Sequence, residues 1–295
     1  MNKLIYILFL FLNHLTSEGQ SISFFKVLGT NGVVKKENSE KVENLQTGMS
    51  IRQNETVILD GGYCGLISDN GLSLELVING RYTFNDICKK LTTNSKPKVS
   101  DKYVSYVLNQ LSKPESEDIN KVHRKYMDVT GSVERSSKNS LIKLLTYEIN
   151  NISNKKYTIK WIGSNSIKEY KIEIFNLWGK RILSKLTKGD SMTLDFEYLF
   201  KNSENLIFKI SDNSNYESVT REILFRYDPN FDKLGLSEGQ NGVSYVTNGI
   251  ICEQNNFYLD ALNFYTKSVE INPEVESYKN ILERLKKKIE NQTQN

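Results

Sequence analysis

The sequence predicts a multi-domain α+β chain: a small N-terminal β domain, a helical connector, a β-sandwich, and a C-terminal helical hairpin with a closing helix. Three observations carry that expectation. Short apolar runs of period two, broken by Gly, Asn and Asp, crowd residues 21–84 and again 156–228. Apolar residues recur at helical period between Asp101 and Lys113 and then throughout the segment after residue 240. A length of 295 residues leaves room for two or three separate cores. The boundaries that follow are 1–19 for a leader, 20–90 for the first β domain and 91–155 for the connector and linker. The sandwich takes 156–228 and the helical segment 241–290.

The leader reads as a secretory signal peptide. Lys3 is its basic start, and Leu4–Leu12 is an apolar run of nine residues, too short to span a bilayer. Ser17 and Gly19 are small residues at the positions signal peptidase reads, which predicts cleavage before Gln20. No Cys follows the run, so a lipid-anchored start is not expected, and no second apolar stretch approaches transmembrane length. The expectation is an exported chain without a transmembrane anchor after cleavage, periplasmic or at the cell surface.

In the first β region, turns are expected at Gly29-Thr30-Asn31-Gly32, Asp60-Gly61-Gly62, Asp69-Asn70-Gly71 and Asn79-Gly80. Leu72, Leu74 and Leu76 alternate with Ser73 and Glu75, the pattern of a strand with one face covered. Leu45-x-x-Gly48, Val57–Leu59, Tyr63–Ile67, Asp69-x-Gly71 and Leu72–Leu76 together resemble the extracytoplasmic domain of the ferric-citrate-regulator (FecR) family. The resemblance implies a compact extracytoplasmic β domain with no catalytic residue. It also suggests, as an alternative role, an accessory to extracytoplasmic sensing.

Asp101–Lys113 reads as a helix capped by Asp101, lined by Val104, Val107, Leu108 and Leu111, and stopped by Pro114. Met127–Lys138 reads as linker. Beyond it, Tyr157, Ile159 and Trp161 alternate, as do Tyr170, Ile172 and Ile174, then Leu194 and Phe196, Leu206, Phe208 and Ile210, and Ile223, Phe225 and Tyr227. About six short strands at this spacing favour an immunoglobulin-like or fibronectin-like sandwich. The hairpin sequence from Glu173 to Leu183 also resembles part of the C-terminal sorting domains of secreted Bacteroidetes proteins. Lying mid-chain with helices after it, it is not expected to act as a sorting signal.

In the last segment, Tyr245, Gly249, Ala261, Tyr265 and Pro273 fall at the separations of a helix–turn–helix repeat. Gly249 and Ala261 are expected to let two antiparallel helices approach. Tyr258, Leu262, Tyr265 and Val269 form a stripe, and Asn272-Pro273 is expected to end the hairpin and start a third helix. That helix would bury Tyr278, Ile281, Leu282, Leu285 and Ile289. The pattern resembles one tetratricopeptide repeat with a closing helix, departing from it at Asn248 and Cys252. The resemblance implies protein–protein contact, with Val246, Ile250 and Glu253 on the ligand-facing side.

Little else in the sequence spells chemistry. With 39 basic and 35 acidic residues interspersed, no basic stripe points to nucleic acid. Lys286-Lys287-Lys288 reads as a solvated helix face. Cys64, Cys88 and Cys252 lack metal or dithiol spacing; Cys64 and Cys252 read as small core residues, and a Cys64–Cys88 bridge stays open. His14 belongs to the leader, which leaves His123 as the single histidine of the mature chain. Glu115, Glu117 and Asp118 cluster without a calcium-loop pattern. The expectation is a non-enzymatic protein with no metal or cofactor. Its partner would be a protein or, through the sandwich, a glycan or envelope polymer. Trp178, in a hairpin turn, is expected to fold onto the sheet, and is otherwise the candidate platform for a sugar ring or a protein.

Overall fold

The computed structural model describes residues 22–91, 142–153, 155–214 and 222–292. The leader, the expected helix Asp101–Lys113, the acidic cluster at 115–118, the linker Met127–Lys138 and both histidines lie outside the described residues. The chain is mixed α+β; among the described residues the strands form three sheets and the three longest helices stand at the C-terminal end.

A long antiparallel pair, β1 (Phe24–Glu37) and β4 (Thr56–Ser68), organises the first sheet. Around it stand β2 (Val42–Asn44), β3 (Ser50–Arg52), β5 (Ser73–Leu76) and β6 (Gly80–Thr83). The order is β2-β1-β4-β5, with β3 on β1 and β6 on β4. Two expected turns are corrected here. Gly29–Gly32 and Asp60–Gly62 do not reverse the chain; both lie inside the paired strands β1 and β4, where Gly29 opposes Gly65 and Gly32 meets Gly61 and Gly62. Gly32 (φ 71°) and Gly61 (φ 68°) adopt the left-handed conformation, and a side chain at Gly32 would collide with the Gly61 carbonyl. Each glycine-rich stretch therefore absorbs a bend in a paired strand, which a single strand read alone mimics as a turn. After β6, Thr83 and Asp86 form a reciprocal capping box that starts α1 (Phe84–Lys90), a helix the strand pattern had hidden.

One face of this sheet buries Phe25, Val27, Ile51, Cys64, Leu66 and Leu74 in its own core. The opposite face is also covered. Leu28 is the extra residue of a bulge between Val27 and Gly29, and with Tyr63 and Ile67 it joins the core of the C-terminal helices. Burial on both faces explains why residues 63–68 are all buried.

The second β unit has two sheets. The five-stranded one runs β11 (Arg181–Thr187), β10 (Tyr170–Asn176), β13 (Asn205–Asp212), β14 (Ile223–Tyr227), β8 (Ile149–Ile152). The three-stranded one runs β12 (Ser191–Asp195), β9 (Lys156–Gly163), β7 (Ile142–Leu144). Ile172, Ile174, Phe208, Ile210 and Phe225 of the first share one core with Ile159, Trp161 and Leu194 of the second. Phe196, in the short helix α2 (Phe196–Leu199), fills the gap between them, 5.0 Å from the Phe225 ring and 5.7 Å from the Tyr157 ring. Residues 142–152, read from the sequence as connector, supply β7 and β8 instead. Strands of three and four residues are too short for alternation to register.

Three helices close the chain: α3 (Gly242–Gln254), α4 (Tyr258–Ile271) and α5 (Glu276–Gln292). Asn241 caps α3 through Ser244 N–H at 2.9 Å, and Asn256 (φ 63°) turns the chain into α4. The small residue at position 249 is filled by the Tyr265 ring, which occupies the space a Cβ would need. As expected, α5 buries Tyr278, Ile281, Leu282, Leu285 and Ile289. Its start is corrected: Asn272 ends α4 and accepts from Val275 N–H at 3.1 Å, so Pro273 lies in a turn and helix begins three residues later.

These helices hold both β units. On the N-terminal sheet, Gly29 and Gly65 are register partners, and Tyr278 lies over the gap that two missing side chains leave. Tyr63 Oη is 2.6 Å from Tyr278 Oη and donates to Glu75 at 2.7 Å. The same Glu75 oxygen accepts from Val243 N–H at 3.0 Å, so a carboxylate from β5 caps the positive end of α3. On the other side, Asn151 bonds the 255–256 turn, and Tyr157 Oη donates to Asp260 of α4 at 2.7 Å. The Tyr147 and Tyr258 rings stack at 3.7 Å.

Candidate functional site

The four residues singled out in the sequence part company in the structure. Val246 and Ile250 are 0% exposed and Glu253 3%, so the face expected to meet a partner is already occupied by the chain itself. The reason is that α3 is buried nearly all round, with the N-terminal sheet against Val243 and α4 against Gly249. A helix in that setting has no free concave side. Glu253 is a structural ion. Tyr265 Oη donates to it at 3.0 Å, Arg284 of α5 bonds the same oxygen, and Lys288 Nζ lies 3.6 Å from the other. Lys286 and Lys287 are exposed on the solvated helix face as expected, whereas Lys288, at the edge of that face, is half-buried. Burial pushes its ammonium below the ordinary lysine range while Glu253 opposes that shift, and its Nζ stands 5.6 Å from both the Tyr147 and Tyr258 rings. The polar departure at Asn248 is explained too. Its amide accepts from Ser237 N–H at 2.8 Å and donates to Ser237 C=O at 2.9 Å, clamping the loop that leads into α3.

Trp178 stands out from the molecule, 92% exposed, rather than folding onto the sheet. Its position follows from turn chemistry. Leu177, Trp178, Gly179 and Lys180 make the loop between β10 and β11, closed by Gly179 N–H to Asn176 C=O at 3.0 Å and Asn176 N–H to Lys180 C=O at 3.0 Å. Gly179 supplies the left-handed residue (φ 77°) and a register shift follows at Ile174/Phe175. The Asn176 side chain accepts from Trp178 N–H at 3.0 Å and from Lys180 N–H at 2.9 Å. The backbone beneath the indole is thus pinned, and the loop projects past the last register pair, Phe175 with Arg181, beyond any core that could receive the ring.

Strand β11 is an edge of its sheet. Lys185 stands opposite Ile172, on the side that faces the core, and is exposed. An inward lysine on an edge strand opposes the addition of another strand.

Reactive groups are shielded. All three cysteines are free; burial pushes the Cys64 thiol up to about 12 and raises Cys252 and Cys88 as well, so none is a ready thiolate. Among the described residues no group of three or more His, Cys, Asp and Glu is placed to hold a metal. Among the described residues Asp260, which no motif marks, is the carboxylate most displaced from its ordinary value. Burial pushes it up to about 6, against the opposing hydrogen bond from Tyr157 and the charge of Lys155. With Ser153 Oγ 2.6 Å from Tyr157 Oη it forms a closed joint between α4 and β9 rather than a cleft. Among the described residues no helix is long and apolar enough to cross a membrane.

No protein-family model matches the chain, and no curated protein matches it.

Proposed function

We propose that this chain is a non-enzymatic exported contact protein, acting in the periplasm or at the surface of a Gram-negative cell of Bacteroidetes type, and that its working surface is the β10–β11 hairpin. In this reading the first sheet is FecR-like, the two packed sheets are an immunoglobulin-like or fibronectin-like sandwich, and α3–α5 are a tetratricopeptide-like repeat with its closing helix. The repeat serves as an internal clamp, because its concave face is filled by its own chain. One observation carries the assignment of the surface: an indole 92% exposed on a turn pinned by four hydrogen bonds. Pinning the backbone beneath a large aromatic lowers the backbone entropy lost on contact and leaves the ring's apolar area to be buried by a partner. The partner is a protein. A glycan is the second reading, favoured by the same indole, whose flat face is open for a sugar ring.

Photo-crosslinking through a diazirine amino acid at position 178, in envelope extract of the native host, tests the protein reading. A discrete adduct that is absent when the probe sits at exposed Glu238 supports it. No adduct, together with glycan-array binding lost in Trp178→Ala, transfers the site to sugar.

A further inference from the structure

We propose that the β10–β11 hairpin docks on an anionic lipid surface. The inference rests on the hairpin being the contact site and adds the chemistry of what it meets. Between residues 168 and 188 stand six basic residues, Lys168, Lys171, Lys180, Arg181, Lys185 and Lys188, against Glu169 and Glu173. Six basic against two acidic residues leave this stretch, the hairpin with its immediate flanks, at a net +4. Glu173 is spent within it, bonded to Lys171 at 3.1 Å and to Arg181 at 3.1 Å.

Apolar side chains are interleaved with these charges. Leu177 and Trp178 crown the tip and Leu186 is 54% exposed along the outer strand. Below that tip the edge strand β11 carries exposed Arg181, Lys185 and Leu186. Trp favours the headgroup level of a bilayer, and clustered Lys and Arg are drawn to anionic lipid. An anionic lipid surface is the occupant that these lysines and the exposed indole favour, with the protein contact made by a chain seated on it.

The chain carries its own probe, since Trp178 is exposed and Trp161, the second of two tryptophans, is 2% exposed in the core. The full chain is titrated with vesicles of phosphatidylcholine and of equimolar phosphatidylcholine and phosphatidylglycerol, following emission wavelength and co-sedimentation. The expected result is a blue shift and binding with the anionic vesicles only, weakening as salt rises. Trp178→Phe should keep most of the binding and Trp178→Ala lose it. Lys180→Glu, Lys185→Glu and Lys188→Glu combined should lower affinity at least about a hundredfold, at about fivefold per lysine removed. Melting curves matching wild type show that these variants fold. Equal binding to neutral vesicles, no binding to either, or anionic binding that survives both Trp178→Ala and the triple variant overturns the inference. Those outcomes leave the protein-contact reading standing or falling on its own crosslinking result.

Discussion

Replacing Gly65 by Ala should loosen the seat of α5 on the N-terminal sheet. A Cβ there would lie 2.5 Å from Tyr278 Oη, 3.1 Å from Tyr63 Oη and 3.3 Å from Val243 Cγ2. The Tyr278 hydroxyl must move, and with it goes the 2.6 Å hydrogen bond to Tyr63. Overpacking of this kind costs about 1–3 kcal/mol and the lost hydrogen bond about 1 kcal/mol. The restricted unfolded chain returns about 0.4–1 kcal/mol, leaving a net loss of about 2 kcal/mol. Chemical denaturation, with hydrogen exchange to locate the loosened strands, measures it. Gly189→Ala is the control, because its nearest neighbour would be 3.7 Å away. Tyr278→Phe removes the colliding atom, so Gly65→Ala combined with Tyr278→Phe should be less destabilising than the two single changes added together. Strict additivity, or equal stability of the Gly65 and Gly189 variants, would refute the seat.

Asp260 predicts a pH slope. Its folded-state pKa of about 6 lies above the ordinary 3.8, so the folded state holds a proton that the unfolded chain releases. The stabilisation is complete below the ordinary carboxylate range and is lost as pH rises through about 6. Asp260→Asn should flatten that slope and raise stability at neutral pH by about 2–3 kcal/mol, read from denaturation midpoints across that window. Glu253→Gln should cost about 1–3 kcal/mol, because half-buried Arg284 and Lys288 would lose the opposing charge and Tyr265 Oη its charged acceptor; thermal melts check it. Asn248→Leu should cost about 1–3 kcal/mol and increase proteolysis of the loop at Ser237, whose N–H and C=O would both lose their partner.

Where a signal depends on a residue's near neighbours in sequence, it was legible. The alternation of Tyr157, Ile159 and Trp161, or of Leu206, Phe208 and Ile210, is the strand geometry itself, and all six are buried. The stripe from Tyr278 to Ile289 marks a helix face by the same logic. The chemistry of the Trp178 turn was present in Asn176 and Gly179, and the capping box of α1 in Thr83 and Asp86, although the strand pattern drew attention away from it. Asn272-Pro273 failed because either residue serves a helix end as well as a start, and local sequence does not choose between them.

By itself the sequence determined which side of each element avoids water; only the tertiary structure decided what covers it. Val246, Ile250 and Glu253 share a face by helical period, yet whether that face meets a partner or the chain's own α4 and α5 depends on elements far along the sequence. Gly29 reads as a turn glycine and Gly65 as one more strand residue until the β1–β4 register sets them side by side under Tyr278. Trp178 shows the converse. Its turn is local and was readable, but its exposure arises because no element among the described residues packs on it. Periodicity is a property of neighbours a few residues apart, whereas burial sums over the whole fold, and that sum filled the expected binding face and left the indole in water.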